Sequence, residues 1–545
     1  MLARYAILAG LAGAITAAPT ISKSSASCSS STFRIPSVYG ANITSLTATA
    51  TPNYMSIPGN DVCLVTILLT HPGTGDNVTN WVVLPLNNWN GIFQGVGGGG
   101  YSAGFSLSLG PISASGYAAV LTDSGHTPAV TAATTADSWA LVSPGNVNQY
   151  NLLNFARRSY HDMTVIGKNV TASFYGTAPK YSYWNGCSTG GRQGLVEAQF
   201  YPTDYDGILA DAPAVQWNDF TPAQQWPYTV ENNEGYAPLQ CEFDFVNAAL
   251  IEACDGLDGV TDGIISAPAL CSFEATSLIG KAYTCGTDKK TFCAKAATVV
   301  DKIWSGPMTT DGKPLWFGIT KGTNFSSLAP NSAYNASAPA IPFGISDSWY
   351  RGFLEKNLTF DTSKVTYAQF QDLFLQGHME YDSTMGSASP DLREFKKAGG
   401  KMITWQGLAD NYINPQGTML YYQRVLAIDP DAADYYRQFY SPGVGHCAGG
   451  IGVQPVDAIG QLRAWVENGT APDSLKAASA YPIGSNSSAT VNGTMARFLN
   501  LCAYPAVNKY NGKGDPALAA SYTCANGTGY ESFSSAGFPT FNSYK

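Results

Sequence analysis

Charge is scarce in this 545-residue chain: Asp, Glu, Lys and Arg make up 13% of it, about half of the ~25% usual in soluble proteins. No run of Lys or Arg occurs, and 30 basic against 39 acidic residues leave a net charge of −9. Nucleic acid, whose phosphates need clustered cations, is thereby excluded as a partner. Long apolar runs are missing as well, apart from one between Tyr5 and about Ile15. That run falls short of the ~20 residues that span a bilayer, so no membrane segment is expected. Histidine is rare, with five in the whole chain, and any imidazole base can be sought one candidate at a time.

What is present has a secreted character. Arg4 precedes the short apolar run, and Thr16, Ala17 and Ala18 follow it, which reads as a signal peptide over residues 1–18 cut near Ala17 or Ala18. Asn-x-Ser/Thr sequons stand at Asn42, Asn77, Asn169, Asn324, Asn335, Asn357, Asn468, Asn486, Asn492 and Asn526. With a signal peptide they point to an extracellular glycoprotein. In an oxidising space the eleven cysteines mean about five disulfides and one free thiol.

The runs "DVCLVTILLT" and "NWVVLPL", and "GYAAVLTDSG" from Gly116, are β-branched and apolar between turn residues, as strands are. A helical pattern from Asn151 is followed by a strand-like "YSYWNG", then Ser188, then "GRQGLVEAQF" with helical spacing. Strand, sharp turn at a serine and helix is the order at the nucleophile of an α/β-hydrolase. After about Asp211 the chain becomes rich in Pro, Trp, Asn and paired cysteines, and regular rhythm returns near Arg393. The expected layout is an α/β-hydrolase domain over residues 19–210 and 393–545, with a lid domain inserted over 211–392. The tail after about Ala471 reads as loop-rich.

A serine hydroxyl needs a histidine to take its proton, and the imidazole needs a carboxylate to fix its tautomer. In "GCSTG" the glycines Gly186 and Gly190 flank Ser188 and permit a strained turn. Taken alone the match is modest, the alternative being an ordinary glycine turn. His71 lies in a turn, His126 follows "TDSG", His161 is inside a predicted helix and His378 falls in the insertion. His446, in the glycine-rich "SPGVGHCAGG" after the last strand-like segment, fits the order Ser, acid, His. Asp410, in "KMITWQGLADNYINP", follows a buried strand between them, whereas Asp429, Asp431 and Asp434 read as surface. Cys187 precedes the serine and Cys447 follows the histidine. A bridge holds two Cα atoms about 5.5 Å apart, so joining these two would set both loops side by side. Pairing of both elsewhere is the alternative.

"GCSTGGRQG", "WQGLADNYINP" and "GVGHCAGG" together resemble the fungal tannase and feruloyl esterase family, over essentially the whole mature chain. The resemblance implies Ser188 as nucleophile, His446 as base and acid, Asp410 as its orienter, and a Cys187–Cys447 bridge. One departure is Gln406, where the family usually shows histidine. Thr189, directly after the nucleophile, supplies one expected oxyanion donor. The glycine run "GVGGGGYSAG" matches the family's oxyanion loop and makes Gly98 or Gly99 the other; no Lys-Ser/Thr follows to make it a phosphate loop.

"CDGLDGVTDGII" crowds Asp255, Asp258 and Asp262 into one loop. Such carboxylates repel unless a cation sits among them, and oxygen ligands favour calcium; a solvated acidic turn is the plainer reading. The resemblance implies a structural Ca2+ in the lid, held by those three aspartates and the carbonyls of Val260 and Ile264. Spacing and family suggest the pairs Cys254–Cys271, Cys285–Cys293 and Cys502–Cys524. Cys28 is then paired with Cys63, and Cys241 is left free.

The expected function is a secreted serine esterase releasing ferulate-type acids from plant cell-wall polysaccharide such as xylan, as monomer or homodimer. Ferulate is favoured because the insertion lacks the dibasic Lys-Arg segment of fungal tannases. Tannase activity on gallate esters is the alternative, and an inactive calcium-dependent carbohydrate-binding protein is one of another class. A secreted serine peptidase is disfavoured by the motifs. Trp217, Trp226, Tyr228, Phe243, Trp349 and Phe353 could stack on a phenolic ring, although packing the lid's own core is the commoner fate for each.

Overall fold

The computed structural model describes residues 27–126, 133–330, 340–479 and 496–526. Residues 1–18, expected to be a signal peptide, and the sequons at Asn335, Asn486 and Asn492 lie outside the described residues. Nine strands form one sheet: β1 (Asn42–Thr51), β2 (Val62–Thr70), β3 (Val78–Pro85), β4 (Ile92–Val96), β5 (Ala118–Thr122), β6 (Tyr181–Cys187), β7 (Gly207–Asp211), β8 (Lys401–Gly407) and β9 (Tyr436–Ser441). Their spatial order is β1-β2-β3-β5-β4-β6-β7-β8-β9. The pairs from β1 to β5 are antiparallel, and those from β5 through β4 to β9 are parallel.

The parallel half is covered on both faces, as parallel sheets are. Phe93, Trp184, Ile208 and Met402 belong to one apolar cluster, while their neighbours Ile92, Tyr183, Leu209 and Ile403 belong to another. That alternation is the strand period of two turned into two cores. Helix α1 (Ser159–Tyr175) and helix α2 (Thr189–Phe200) feed the first core through Met163, Ile166 and Leu195. The helix expected from Asn151 begins at Gln149 and reaches Tyr175 through a π-type turn at Asn154–Arg158.

Between β7 and β8, residues 212–400 add no strand to this sheet among the described residues. They form helices, including α3 (Trp217–Ala223) and α4 (Tyr367–Met385), and one hairpin, Ala282–Cys285 with Asp288–Thr291. Trp226, Phe243, Trp349 and Phe353 are buried in this segment's apolar cluster, which also takes in Tyr101, Trp139 and Phe155 from before the insertion. Tyr228 is buried as well.

Two expectations need correction. Among the described residues the tail is not loop-rich: β10 (Ser474–Ser479) and β11 (Arg497–Cys502) pair antiparallel, and Leu475, Ala477, Leu499 and Leu501 are buried with Trp465. Alternation in "RFLNLC" carries this strand within a Gly- and Asn-rich stretch. Cys285 pairs with Cys241, and the half-buried Cys293 is the free thiol. Cys285 ends the first hairpin strand and is buried, whereas Cys293 caps the helix Ala294–Ser305, its Sγ accepting from the Ala296 amide. The other bridges are Cys28–Cys63, Cys187–Cys447, Cys254–Cys271 and Cys502–Cys524. The described sequon residues Asn42, Asn77, Asn169, Asn324, Asn357, Asn468 and Asn526 are all exposed, and no described helix is long and apolar enough to cross a membrane.

Candidate active site

β6 runs directly into α2, and Ser188 is the single residue between them, with φ 65° and ψ −124°. A non-glycine residue at positive φ is strained, and the turn is held by its surroundings. The Ser188 amide donates to Asp211 O at 3.0 Å, and its carbonyl accepts from Ala214 at 3.0 Å. A Cβ on Gly186 would come within 2.7 Å of the Gly190 backbone, so the flanking glycines are steric requirements of the turn.

β8 and β9 deliver the partners. His446 lies in the loop after β9, and its Nδ1 stands 2.9 Å from Asp410 Oδ2. Asp410 is 3% exposed. Its Oδ1 accepts from the amides of Tyr412 and Ile413, both at 2.9 Å. Gln406 Nε2 donates to its Oδ2 at 3.1 Å and to Ile413 O at 2.8 Å. The residue that departs from the family pattern therefore touches the carboxylate directly. The Cys187–Cys447 bridge holds the serine and histidine loops with Cα atoms 5.9 Å apart. Ser188 and His446 line one cavity of about 500 Å³.

None of the other histidines lines that cavity. His71 sits between Asp76, 2.6 Å away, and Asp162, 3.0 Å away. His161 pairs with Asp204 and His378 with Asp219 and Asp382. His126 stacks on Trp139, and burial pushes its pKa down to about 3. Asp429 pairs with Lys396, away from the site.

Gly97 to Gly100 and Thr189 also line the cavity. Thr189 opens α2, where an amide has no intrahelical acceptor. The Gly98 amide, however, donates to Gln193 Oε1 at 3.0 Å, and the Gly99 amide to Ser102 O at 3.1 Å. Neither expected glycine has a spare donor. The Gly100 amide enters no hydrogen bond among the described residues, and Thr189 Oγ1 donates to Gly100 O at 2.7 Å. Among the described residues, Gly100 is thus the glycine of this run whose amide is unengaged beside the cavity. Gln193, which the sequence reading passed over, joins α2 to this loop, since its Nε2 also donates to Ala103 O at 3.0 Å. Only its place in the second turn of the helix that follows the serine could have signalled it.

Of the six aromatic residues singled out in the insertion, Trp217 lines the cavity. Arg192, fully buried, lies over the Trp217 and Phe155 rings and donates to Ala156 O and Phe155 O. Phe105, Ile112, Phe220, Phe343 and Ile345 make much of the remaining wall apolar.

The acidic loop is elsewhere. Asp255 accepts from the amides of Asp262, Gly263 and Ile264. Asp258 accepts from Val260, and Asp262 Oδ2 takes a 2.7 Å hydrogen bond from Arg497 Nη2. Asp258 and Asp262 face a second cavity with Arg497. Burial, with repulsion from Asp258 and Asp255 outweighed in part by Arg497, leaves Asp262 raised to about 6. Burial and Asp255 raise Asp258 as well. Among the described residues no three His, Cys, Asp or Glu side chains converge as a metal cage. The donors nevertheless suit calcium in kind: they are oxygens only, on one loop, and they repel one another.

The sequence model of a family described as tannase and feruloyl esterase matches residues 63–525. The chain is 43% identical over 479 residues to a probable feruloyl esterase of Arthroderma benhamiae, covering 86% of each. It is 30% identical over 493 residues to a mono(2-hydroxyethyl) terephthalate hydrolase of Piscinibacter sakaiensis, covering 80% of each. A solved tannin acyl hydrolase from Aspergillus niger matches with a TM-score of 0.80 at 27% identity, over 93% of this chain and 97% of that one.

Proposed function

Because this chain belongs to the tannase and feruloyl esterase family and is a carboxylic ester hydrolase, we propose that it is a secreted serine esterase releasing ferulate-type hydroxycinnamic acids from plant cell-wall polysaccharide. The observation that carries the catalytic part is the His446–Asp410 hydrogen bond of 2.9 Å, on a loop bridged to the residue before Ser188. With Nδ1 held by Asp410, His446 has Nε2 for the Ser188 proton. Ser188 Oγ attacks the ester carbonyl, and the amides of Thr189 and Gly100 receive the oxyanion. Collapse expels the alcohol, which takes the proton from His446 and leaves an acyl-serine. Water, deprotonated by His446, then releases the acid and restores Ser188.

The relative named a probable feruloyl esterase supports the ferulate preference. So does the largely apolar wall, against which the single ring hydroxyl of ferulate is easier to bury than the three of gallate. The likeness to a solved tannin acyl hydrolase favours gallate release as the second reading. Secretion is supported by the N-terminal pattern and five disulfides. The inserted segment is read as the lid over the cavity, to which it contributes Trp217, Phe220, Phe343 and Ile345. Residues Asp255, Asp258 and Asp262, with the carbonyls of Val260 and Ile264, would hold a structural Ca2+, whose charge would quiet the repulsion within that loop.

The test is fluorophosphonate labelling together with hydrolysis of methyl ferulate and methyl gallate, with Ser188→Ala as control. Labelling at Ser188 and faster ferulate release are expected. A chain that neither labels nor cleaves either ester refutes the esterase reading and leaves a binding protein, whereas faster gallate release makes it a tannase.

A further inference from the structure

β6 lies between β4 and β7 in the middle of the sheet. Asn185, three residues before Ser188, pairs with Val96 on one side and with Leu209 on the other. Its backbone is fixed, since its carbonyl accepts from the Gly97 amide at 3.1 Å. Strand alternation puts its side chain on the face of Cys187, whose bridge leads to Cys447 beside His446. A polar side chain on a central strand ordinarily finds a partner within the fold. The half-buried Asn185 carboxamide makes no hydrogen bond among the described residues, yet neither of its polar atoms is sealed from the surface. Asn185 lines the Ser188 cavity, and that is where its open surface lies. Ser108 lines the same cavity, and its hydroxyl is likewise unengaged among the described residues and open. Ile112, one helical turn beyond Ser108, packs in one apolar cluster with Val96, and both line the cavity.

His446 hands its proton to the departing alcohol, so the alcohol lies on the His446 side of Ser188. That is also the side of the Cys187–Cys447 bridge and of Asn185. A carboxamide both donates and accepts, as every sugar hydroxyl does. No Asp, Glu, Lys or Arg lines the cavity, which suits a neutral alcohol. The three steps from Asn185 to Ser188 span about 10 Å, within reach of a single sugar residue on the ester oxygen. We propose that Asn185, together with Ser108, binds the hydroxyls of the leaving alcohol and is the residue that selects a sugar-like alcohol over an alkyl one. Val96 and Ile112 then meet the C–H groups of that alcohol. The inference rests on the esterase reading and deepens it by naming the alcohol that is recognised.

The experiment compares kcat/KM for 2,3-dihydroxypropyl ferulate and propyl ferulate, which share the acyl group and the carbon skeleton of the alcohol, in the wild-type chain, in Asn185→Leu and in Ser108→Ala. The wild type should favour the dihydroxypropyl ester by about three- to tenfold, chiefly through KM, as expected for one or two neutral hydrogen bonds. This comparison needs no variant. In Asn185→Leu the preference should fall to one or below, and Ser108→Ala should reduce it in the same direction; a variant that lost only packing would slow both esters alike and keep the ratio. A wild type that takes the propyl ester as readily as the dihydroxypropyl ester overturns the proposal. So does an Asn185→Leu chain that keeps the full preference. A wild type inert towards both ferulates overturns the ferulate esterase reading, and this inference with it.

Discussion

Asp410 and Gln193 show how single side chains set the site by satisfying particular donors and acceptors. Asp410 takes two backbone amides and Gln406 as well as His446. Gln406→Leu removes a donor to a charged oxygen, and a drop of about tenfold in kcat/KM on methyl ferulate is expected, with little change in KM. A variant with unchanged kcat would show that the backbone amides suffice. Gln193→Leu leaves the Gly98 amide and the Ala103 carbonyl without partners. It should lose about 2–4 kcal/mol in a denaturant titration and lower kcat by loosening the glycine loop beside Ser188. The identity of Asp410 and His446 was legible in sequence because both follow apolar strands in the order the chemistry needs. Gln193 and Gln406 were not, because a glutamine on a helix or strand has no pattern of its own until its partners are in place.

At the scale of elements, the β6–α2 turn and the loop after β9 are bound by one disulfide that closes 260 residues. The chain-entropy model assigns such a closure roughly 5 kcal/mol. Cys187→Ala with Cys447→Ala should lower the melting temperature and cut kcat/KM by more than about tenfold, since a misplacement of the base is costly; full activity in the folded double variant would refute the clamp. Alkylation of the denatured, unreduced protein should label Cys293 and leave Cys241 in a peptide joined to Cys285. Labelled Cys241 would contradict the pairing. The turn at Ser188 was readable from strand, glycine and helix signals that lie next to one another. β10 and β11 were not, because their few alternating apolar residues gain meaning only against Trp465 and the sheet.

For the whole molecule, two conditions probe how the inserted segment is held. Chelation should lower the melting temperature by several degrees, with recovery on adding Ca2+, while kcat well below melting stays unchanged; a melting curve indifferent to chelator would remove calcium from the proposal. His378 on α4 lies 3.2 Å from Asp219 and 3.1 Å from Asp382. Burial opposes its charge, but the hydrogen bonds to the two carboxylates outweigh it and raise it to about 10. The folded state thus keeps a proton that the unfolded chain loses from about pH 6.5. The contribution is full below that pH, fades as pH rises, and is gone above about 10. His378→Gln should therefore melt well below the wild type at pH 6, with the gap closing by pH 10; a constant gap would assign the loss to packing alone. By itself the sequence determined the α/β class and singled out Ser188, Asp410 and His446, which the fold brings to one cavity and one hydrogen bond, because strand order and a few residues at strand ends are local and chemically distinctive. Tertiary structure alone decided that Gly100 keeps the spare amide among the described residues, that Cys293 keeps the thiol and that Trp217, Phe220 and Gln224 line the cavity. Each of these depends on which groups are already satisfied by segments distant in the chain.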